Sequence, residues 1–144
     1  MSSIVLTTEH RRAIAQHGEA LYPQECRGLL LGHRNGMSKH VVDLVFLNET
    51  AEAGAESDGY RYHIPSSGIQ EGEEIAEAKD LEIVGSFHSH IDQPARPSIY
   101  DRDQAEPTFT YVIVGIRQGR AHELAAWKLS EDGTAFFQED IRNI

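Results

Sequence analysis

A chain of 144 residues, 40% hydrophobic and 25% charged, has the size and make-up of one globular domain, expected to span residues 1–144. Its 13 Lys+Arg against 23 Asp+Glu leave a net charge of -10 at pH 7, which disfavours nucleic acid and anionic membrane surfaces as partners. The single cysteine, Cys26, excludes an internal disulfide and Cys-rich zinc or iron–sulfur sites, and no apolar run reaches the roughly 18 residues of a membrane span.

Ile4-Val5-Leu6 reads as a short strand, followed by a helix capped at Thr8 that runs to about Ala20, where Tyr22-Pro23 breaks it. Gly28-Leu29-Leu30-Leu31-Gly32 is a short apolar strand, and Asn35-Gly36 looks like a hairpin turn into a second strand over Val41–Phe46. The acidic stretch Glu49–Gly59 reads as a loop. Tyr60, Tyr62 and Ile64 alternate as in a half-buried strand that Pro65 ends, and Ser66 or Ser67 can cap a helix covering much of Ile69–Lys79. Ile83–Phe87 is a buried strand that runs straight into His88-Ser89-His90. Pro94 and Pro97 mark a loop, and Ser98 opens a short helix that must end before Pro107. Phe109–Ile116 and His122–Leu129 read as strands joined across Gln118-Gly119-Arg120, with a last strand near Ala135–Gln138. Strands outnumber helices and several are linked as hairpins, so the expected class is α+β with a mixed or mainly antiparallel sheet. The N-terminal Met1-Ser2-Ser3-Ile4 has neither a basic nor a long apolar leader region, and a cytoplasmic location is the expectation.

The histidine count of 8 invites a search for metal ligands. His88 and His90 stand two apart at the end of an apolar strand, so both imidazoles leave the same face of the sheet. Eight residues past His90 is Ser98, and three further is Asp101. If the loop folds back over the strand end, Asp101 adds an oxygen ligand beside the two nitrogens. Two histidines and one carboxylate leave the fourth position of a tetrahedral zinc open to water, the arrangement of a catalytic site. Taken alone, Ser98-x-x-Asp101 is also a helix capping box, and the two readings are compatible. A hydrolase built on such a site also needs a base to take a proton from water. Glu25, just before the Gly28–Gly32 strand, is the candidate, although by itself it reads equally as a surface acid.

Glu25-Cys26-Arg27-Gly28-Leu29-Leu30-Leu31-Gly32, His88-Ser89-His90 and Pro97-Ser98-Ile99-Tyr100-Asp101 together resemble the signature of the JAMM/MPN+ zinc metalloprotease family. The likeness runs from about Tyr22 to Leu129 and is strongest to short, single-domain prokaryotic members. It implies a cytidine deaminase-like α/β/α arrangement, with a curved mixed sheet packed between helices. It further implies one catalytic zinc ion held by His88, His90 and Asp101, Glu25 as general acid/base, and Ser98 as hydrogen-bond donor to the oxyanion. The implied substrates are ubiquitin-like proteins, some of them sulfur carriers, cut at a C-terminal tail for which small residues such as Gly-Gly suit a narrow cleft. Ile91 departs from the family's usual proline after the second histidine. Without that ring to fix φ, the loop leaving the strand is expected to be looser, with no ligand removed. A noncatalytic MPN-type interaction module and a zinc amidohydrolase acting on a small amide are the alternatives; no residue pattern reports oligomeric state, and a homodimer is kept as an expectation.

Other features are assigned to structure. His122-Glu123 begins an H-E-x-x-H pattern, but Ala126 stands where the second histidine belongs. A Cys–His hydrolase on Cys26 lacks any nearby basic cluster or helix N-terminus to lower the thiol pKa. His10, His17, His33, His40 and His63 have no mutual spacing and are expected in packing or on the surface. Glu71–Glu77 reads as a solvated helix face, and Trp127, alternating with Ala125 and Leu129, as core. The net charge predicts faster docking of a basic or neutral protein partner than of an acidic one, at a rate that falls with salt.

Overall fold

A computed structural model of the protein describes residues 2–47, 66–98 and 105–143. The chain begins with β1 (Ser3–Leu6) and α1 (Thr8–Leu21), followed by the hairpin β2 (Arg27–Asn35) and β3 (Ser38–Phe46). After α2 (Ser66–Ala78) come β4 (Glu82–Ile91), β5 (Thr110–Arg117), β6 (Arg120–Leu129) and β7 (Phe136–Asn143).

Local chemistry accounts for most of these boundaries. Thr7, not Thr8, caps α1: its hydroxyl accepts from the His10 N–H at 2.9 Å while its own N–H donates to His10 Nδ1 at 3.4 Å. Two amides at the helix end that lack helical partners are thereby satisfied. The helix stops at Leu21 because the residue before a proline resists helical geometry, and Tyr22 has ψ 136°. The β2–β3 turn lies one residue later than Asn35-Gly36, since Asn35 pairs with Ser38 around Gly36-Met37 and Gly36 carries φ 64°. Between β5 and β6, Gln118 (φ 50°) and Gly119 (φ 84°) both take left-handed geometry, which matches the right-handed twist of the strands they join. α2 starts three residues before the expected Ile69. Its Gly72 lies where a Cβ would stand 2.2 Å from Leu29 Cδ1, so the glycine lets helix and sheet approach.

The strands run in the order β1-β3-β2-β4-β5-β6-β7, and β1 closes the ring by pairing in parallel with both β3 and β7. β4 and β5 are parallel, and the remaining neighbours are antiparallel. The mixed sheet between helices is as expected. Its closure was not, because β1 is only four residues long and nothing in Ser3–Leu6 announces two partners. The alternation along β2 explains the layering. Leu30 joins Ile14 of α1, Phe87, Val112 and Val114 in one core, while Leu29 and Leu31 join Ala76 of α2 and Ile83 in another. With both faces covered, β4 and β5 read as continuous apolar runs. Each fully buried Leu or Ile contributes about 1.5–3 kcal/mol.

The strand expected over 60–64, the loop over 49–59 and the helix opened by Ser98 lie outside the described residues. Among the described residues, no helix is long and apolar enough to cross a membrane.

Candidate metal centre

β2 and β4 meet head to tail at the site. Arg27 pairs with His88, and the pairing continues past β2, since Ser89 N–H donates to Cys26 O at 3.1 Å and Cys26 N–H to Ser89 Oγ at 2.8 Å. Glu25, one residue further, lies just past the end of this ladder. Cys26 points into the α1 core with Leu30, so the alternation turns Glu25 and Arg27 to the opposite face, where His88 and His90 also project. His88 is 1% exposed, His90 6% and Glu25 8%, which places two imidazoles and a carboxylate out of bulk solvent at one strand end.

The imidazoles converge. His88 Nε2 and His90 Nε2 are 3.2 Å apart, with the rings tilted at 58°. Two nitrogens each ~2.05 Å from one tetrahedral zinc stand about 3.3 Å apart, so the pair already has the spacing of shared ligands. The same distance suits a hydrogen bond between the rings when no ion is bound. His90 Nδ1 lies 3.0 Å from Pro94 O. A carbonyl can only accept, so Nδ1 carries the proton and the Nε2 lone pair is left to face His88. Among the described residues no group of three or more His, Cys, Asp or Glu is gathered as a metal site. The third ligand expected from the sequence, Asp101, lies outside the described residues. The donors present, two neutral imidazole nitrogens on a rigid strand, fit zinc.

The turn leaving β4 is firmly held. Ile91 stays in the strand opposite Ile116, and Asp92 (φ 54°) donates its N–H to Ile116 O at 2.6 Å. The Asp92 carboxylate accepts from Gln118 N–H at 2.8 Å and from Tyr22 O–H at 3.0 Å. The hydrogen bond to Asp92 raises the Tyr22 phenol above its ordinary value. Side-chain hydrogen bonds here do what a proline ring would otherwise do. Further along, Ala95 N–H donates to Glu123 Oε1 at 3.0 Å and Trp127 Nε1–H to Ala95 O at 2.9 Å. Ser98 lies exposed on this loop, in the wall of a cavity of about 340 Å3 that Trp127 and Phe136 also line.

The structure thus brings His88 and His90 together, buries Glu25 just before the strand that pairs with theirs, and puts Ser98 on the loop that follows β4. Trp127, read from the sequence as core, is half-buried and lines that cavity. The three-residue alternation Ala125-Trp127-Leu129 carried no sign of a loop coming back over it. Among the other described histidines, His10 caps α1, His17 packs its ring 4.7 Å from that of Phe46, and His33 and His122 are exposed.

A fold of one mixed sheet with helices on both faces, and a His-x-His pair at a central strand end, defines a JAB/MPN-like domain. The chain belongs to the family described as prokaryotic homologs of the JAB domain, whose profile matches residues 7–130. Solved structures agree. A protein from Salinibacter ruber aligns with TM-score 0.74 and 31% identity over 100% of this chain and 92% of that one. A protein from Desulfitobacterium hafniense aligns with TM-score 0.82 and 23% identity over 98% and 92%. A JAB1/MPN domain protein from Archaeoglobus fulgidus aligns with TM-score 0.55 and 16% identity over 97% and 98%. No match is found among curated proteins.

Proposed function

We propose that this protein is a zinc-dependent hydrolase of peptide or isopeptide bonds at the C-terminus of ubiquitin-like proteins, sulfur carriers included. The observation that carries the reading is the 3.2 Å approach of His88 Nε2 to His90 Nε2, with the buried Glu25 just before the strand that pairs with theirs. His88, His90 and Asp101 would hold the zinc, which when bound supplies an acidified water and polarises the scissile carbonyl. Glu25 accepts a proton from the attacking water at its carboxylate and returns it to the nitrogen of the departing amine. Its burial keeps that proton from exchanging with bulk solvent between the two transfers. Ser98 Oγ–H donates to the carbonyl oxygen as negative charge develops there, an effect worth about 3 kcal/mol for one well-placed donor.

An extended tail of small residues would enter by pairing with a strand edge, a mode that reads backbone more than side chains. Closure of the sheet restricts where this can happen. Among the described residues, β3 pairs with β1 only over Ser38–His40, and its edge from Val41 to Phe46 ends opposite Gly28, close to the site.

Purified protein tests the reading. Cleavage of a ubiquitin-like protein fused through its C-terminal tail, abolished in Glu25→Ala and His88→Ala, is the expected result. Metal-loaded protein that leaves such fusions intact but cleaves small amides would replace it with the amidohydrolase reading, and metal-loaded protein that cleaves neither would leave an interaction module.

A further inference from the structure

His90, Gly115 and Glu123 stand in one row across the sheet, His90 paired with Gly115 of β5 and Gly115 with Glu123 of β6. Two strand spacings, roughly 10 Å, separate the backbones of the histidine and the glutamate. Gly115 between them has no side chain, and the loop leaving β4 lies over that gap. A Cβ on Gly115 would stand 3.3 Å from Gln93 O and 3.2 Å from Glu123 Cγ, so the glycine lets the loop and the Glu123 side chain share the space.

One peptide bond of this loop joins the two ends of the row. Its carbonyl, Pro94 O, accepts from His90 Nδ1–H at 3.0 Å, and its N–H, that of Ala95, donates to Glu123 Oε1 at 3.0 Å. Both hydrogen bonds use the same planar amide. A carboxylate drawing on the N–H raises the negative charge on the carbonyl oxygen, so each bond strengthens the other. Ala95 is buried, which keeps water from competing for its amide. Trp127 Nε1–H donates to Ala95 O at 2.9 Å, an oxygen of the next peptide unit, and so anchors the loop without joining this chain of bonds. Arg117 Nη2 lies 4.0 Å from the same Glu123 oxygen, an exposed ion pair that by itself contributes little.

We propose that Glu123 is a positioning residue of the histidine pair: through the Pro94–Ala95 peptide it holds His90 in the Nδ1–H tautomer, with Nε2 turned to His88. A carboxylate bonded directly to a metal-binding histidine fixes its tautomer in the same way, and here a peptide stands between the two. The use of this arrangement for metal rests on the reading of the pair as a zinc site, whereas the tautomer does not.

Long-range proton–nitrogen spectra of the zinc-free protein, taken above the ordinary histidine pKa so that the rings are neutral, show which nitrogen of His90 carries its proton. The unmodified protein is expected to show Nδ1–H. Glu123→Ala, a change at a half-exposed side chain, is expected to move His90 toward the Nε2–H form, and Glu123→Gln, whose side-chain oxygen can still accept from Ala95 N–H, to keep most of the Nδ1–H form. Trp127→Phe is expected to leave the tautomer as it is. Titration with zinc against a competing chelator should show Glu123→Ala binding about tenfold or more weakly than the unmodified protein, and Glu123→Gln losing less. An unchanged His90 tautomer in Glu123→Ala would overturn the proposal whatever the zinc result, as would a shift in Trp127→Phe as large as that in Glu123→Ala. An unmodified protein that binds no zinc would overturn the zinc reading, and a tautomer shift in Glu123→Ala would still support the positioning role.

Discussion

Single residues decide whether the strand end is a site. The Pro94 carbonyl fixes the proton on His90 Nδ1 and so points a lone pair at His88, which is why that loop matters as much as the imidazoles themselves. Gly28 of the Glu25–Gly32 segment has an equally local reason. A Cβ there would lie 2.2 Å from Phe87 Cζ and 2.4 Å from Val45 O, so no side chain fits between β3 and the Phe87 ring. Gly28→Ala is therefore expected to destabilise the protein by about 2 kcal/mol or more, read as a lowered denaturant midpoint at unchanged m-value. A midpoint equal to that of the unmodified chain would show that β2 and Phe87 can move apart freely. From the sequence, the spacing of His88 and His90 was legible because period two dictates a common face. Glu25 was not legible by spacing, since it lies just before another strand and only the pairing of β2 with β4 brings that segment to the histidines' strand.

At the level of elements, the strands and hairpins followed from alternation and from Gly36 and Gly119, and β4 followed from its apolar run. Errors fell at element ends, one set by a local cap and one by a tertiary partner. The cap of α1 moved to Thr7 because His10 completes the reciprocal pair, and β7 extended to Asn143 because β1 lies beside its second half. The β6–β7 turn shows how a short segment orders itself. Asp132 Oδ1 accepts from Ser130 Oγ–H at 2.7 Å, Thr134 Oγ1–H at 2.8 Å and Thr134 N–H at 3.1 Å, which holds its carboxyl below the ordinary aspartate value. Because the folded pKa is depressed, the unfolded chain binds more protons in the window between the two values. The contribution of this turn is thus complete above the ordinary aspartate pKa and lost as pH falls through the folded one. In an NMR titration the Thr134 amide should shift with a midpoint below that of an unperturbed aspartate, and a midpoint at or above it would contradict the bonding described. The turn borders the Trp127 cavity through Ala135, so its order shapes that wall.

Closure of the sheet is a property of the whole molecule, and one buried polar group set spans it. Lys39 of β3 donates to Thr110 Oγ1 of β5 at 2.8 Å, Thr110 Oγ1–H donates to Glu139 Oε1 of β7 at 2.5 Å, and the Lys39 and Glu139 charges are 3.7 Å apart. None of these three strands neighbours another in the sheet, so the set ties the ring across its interior. Burial pushes the Lys39 ammonium below the usual lysine range, with Glu139 opposing. Glu139→Leu should cost about 3–5 kcal/mol by stranding the Lys39 charge, and Lys39→Met added to it should recover most of that loss. A Glu139→Leu protein of unchanged stability would mean that the closed ring does not depend on this set. No pattern in the sequence marked Lys39 or Glu139 as partners, since charged residues on strands ordinarily face water.

The central claim is that the end of β4 is a zinc site, and metal content tests it most directly. Protein prepared without chelators, exchanged into metal-free buffer and measured by elemental analysis should carry one zinc per chain, with zinc lost from His88→Ala and from Asp101→Ala and kept in Glu25→Gln. Protein without zinc, or zinc retained when both His88 and His90 are replaced by alanine, would contradict the assignment.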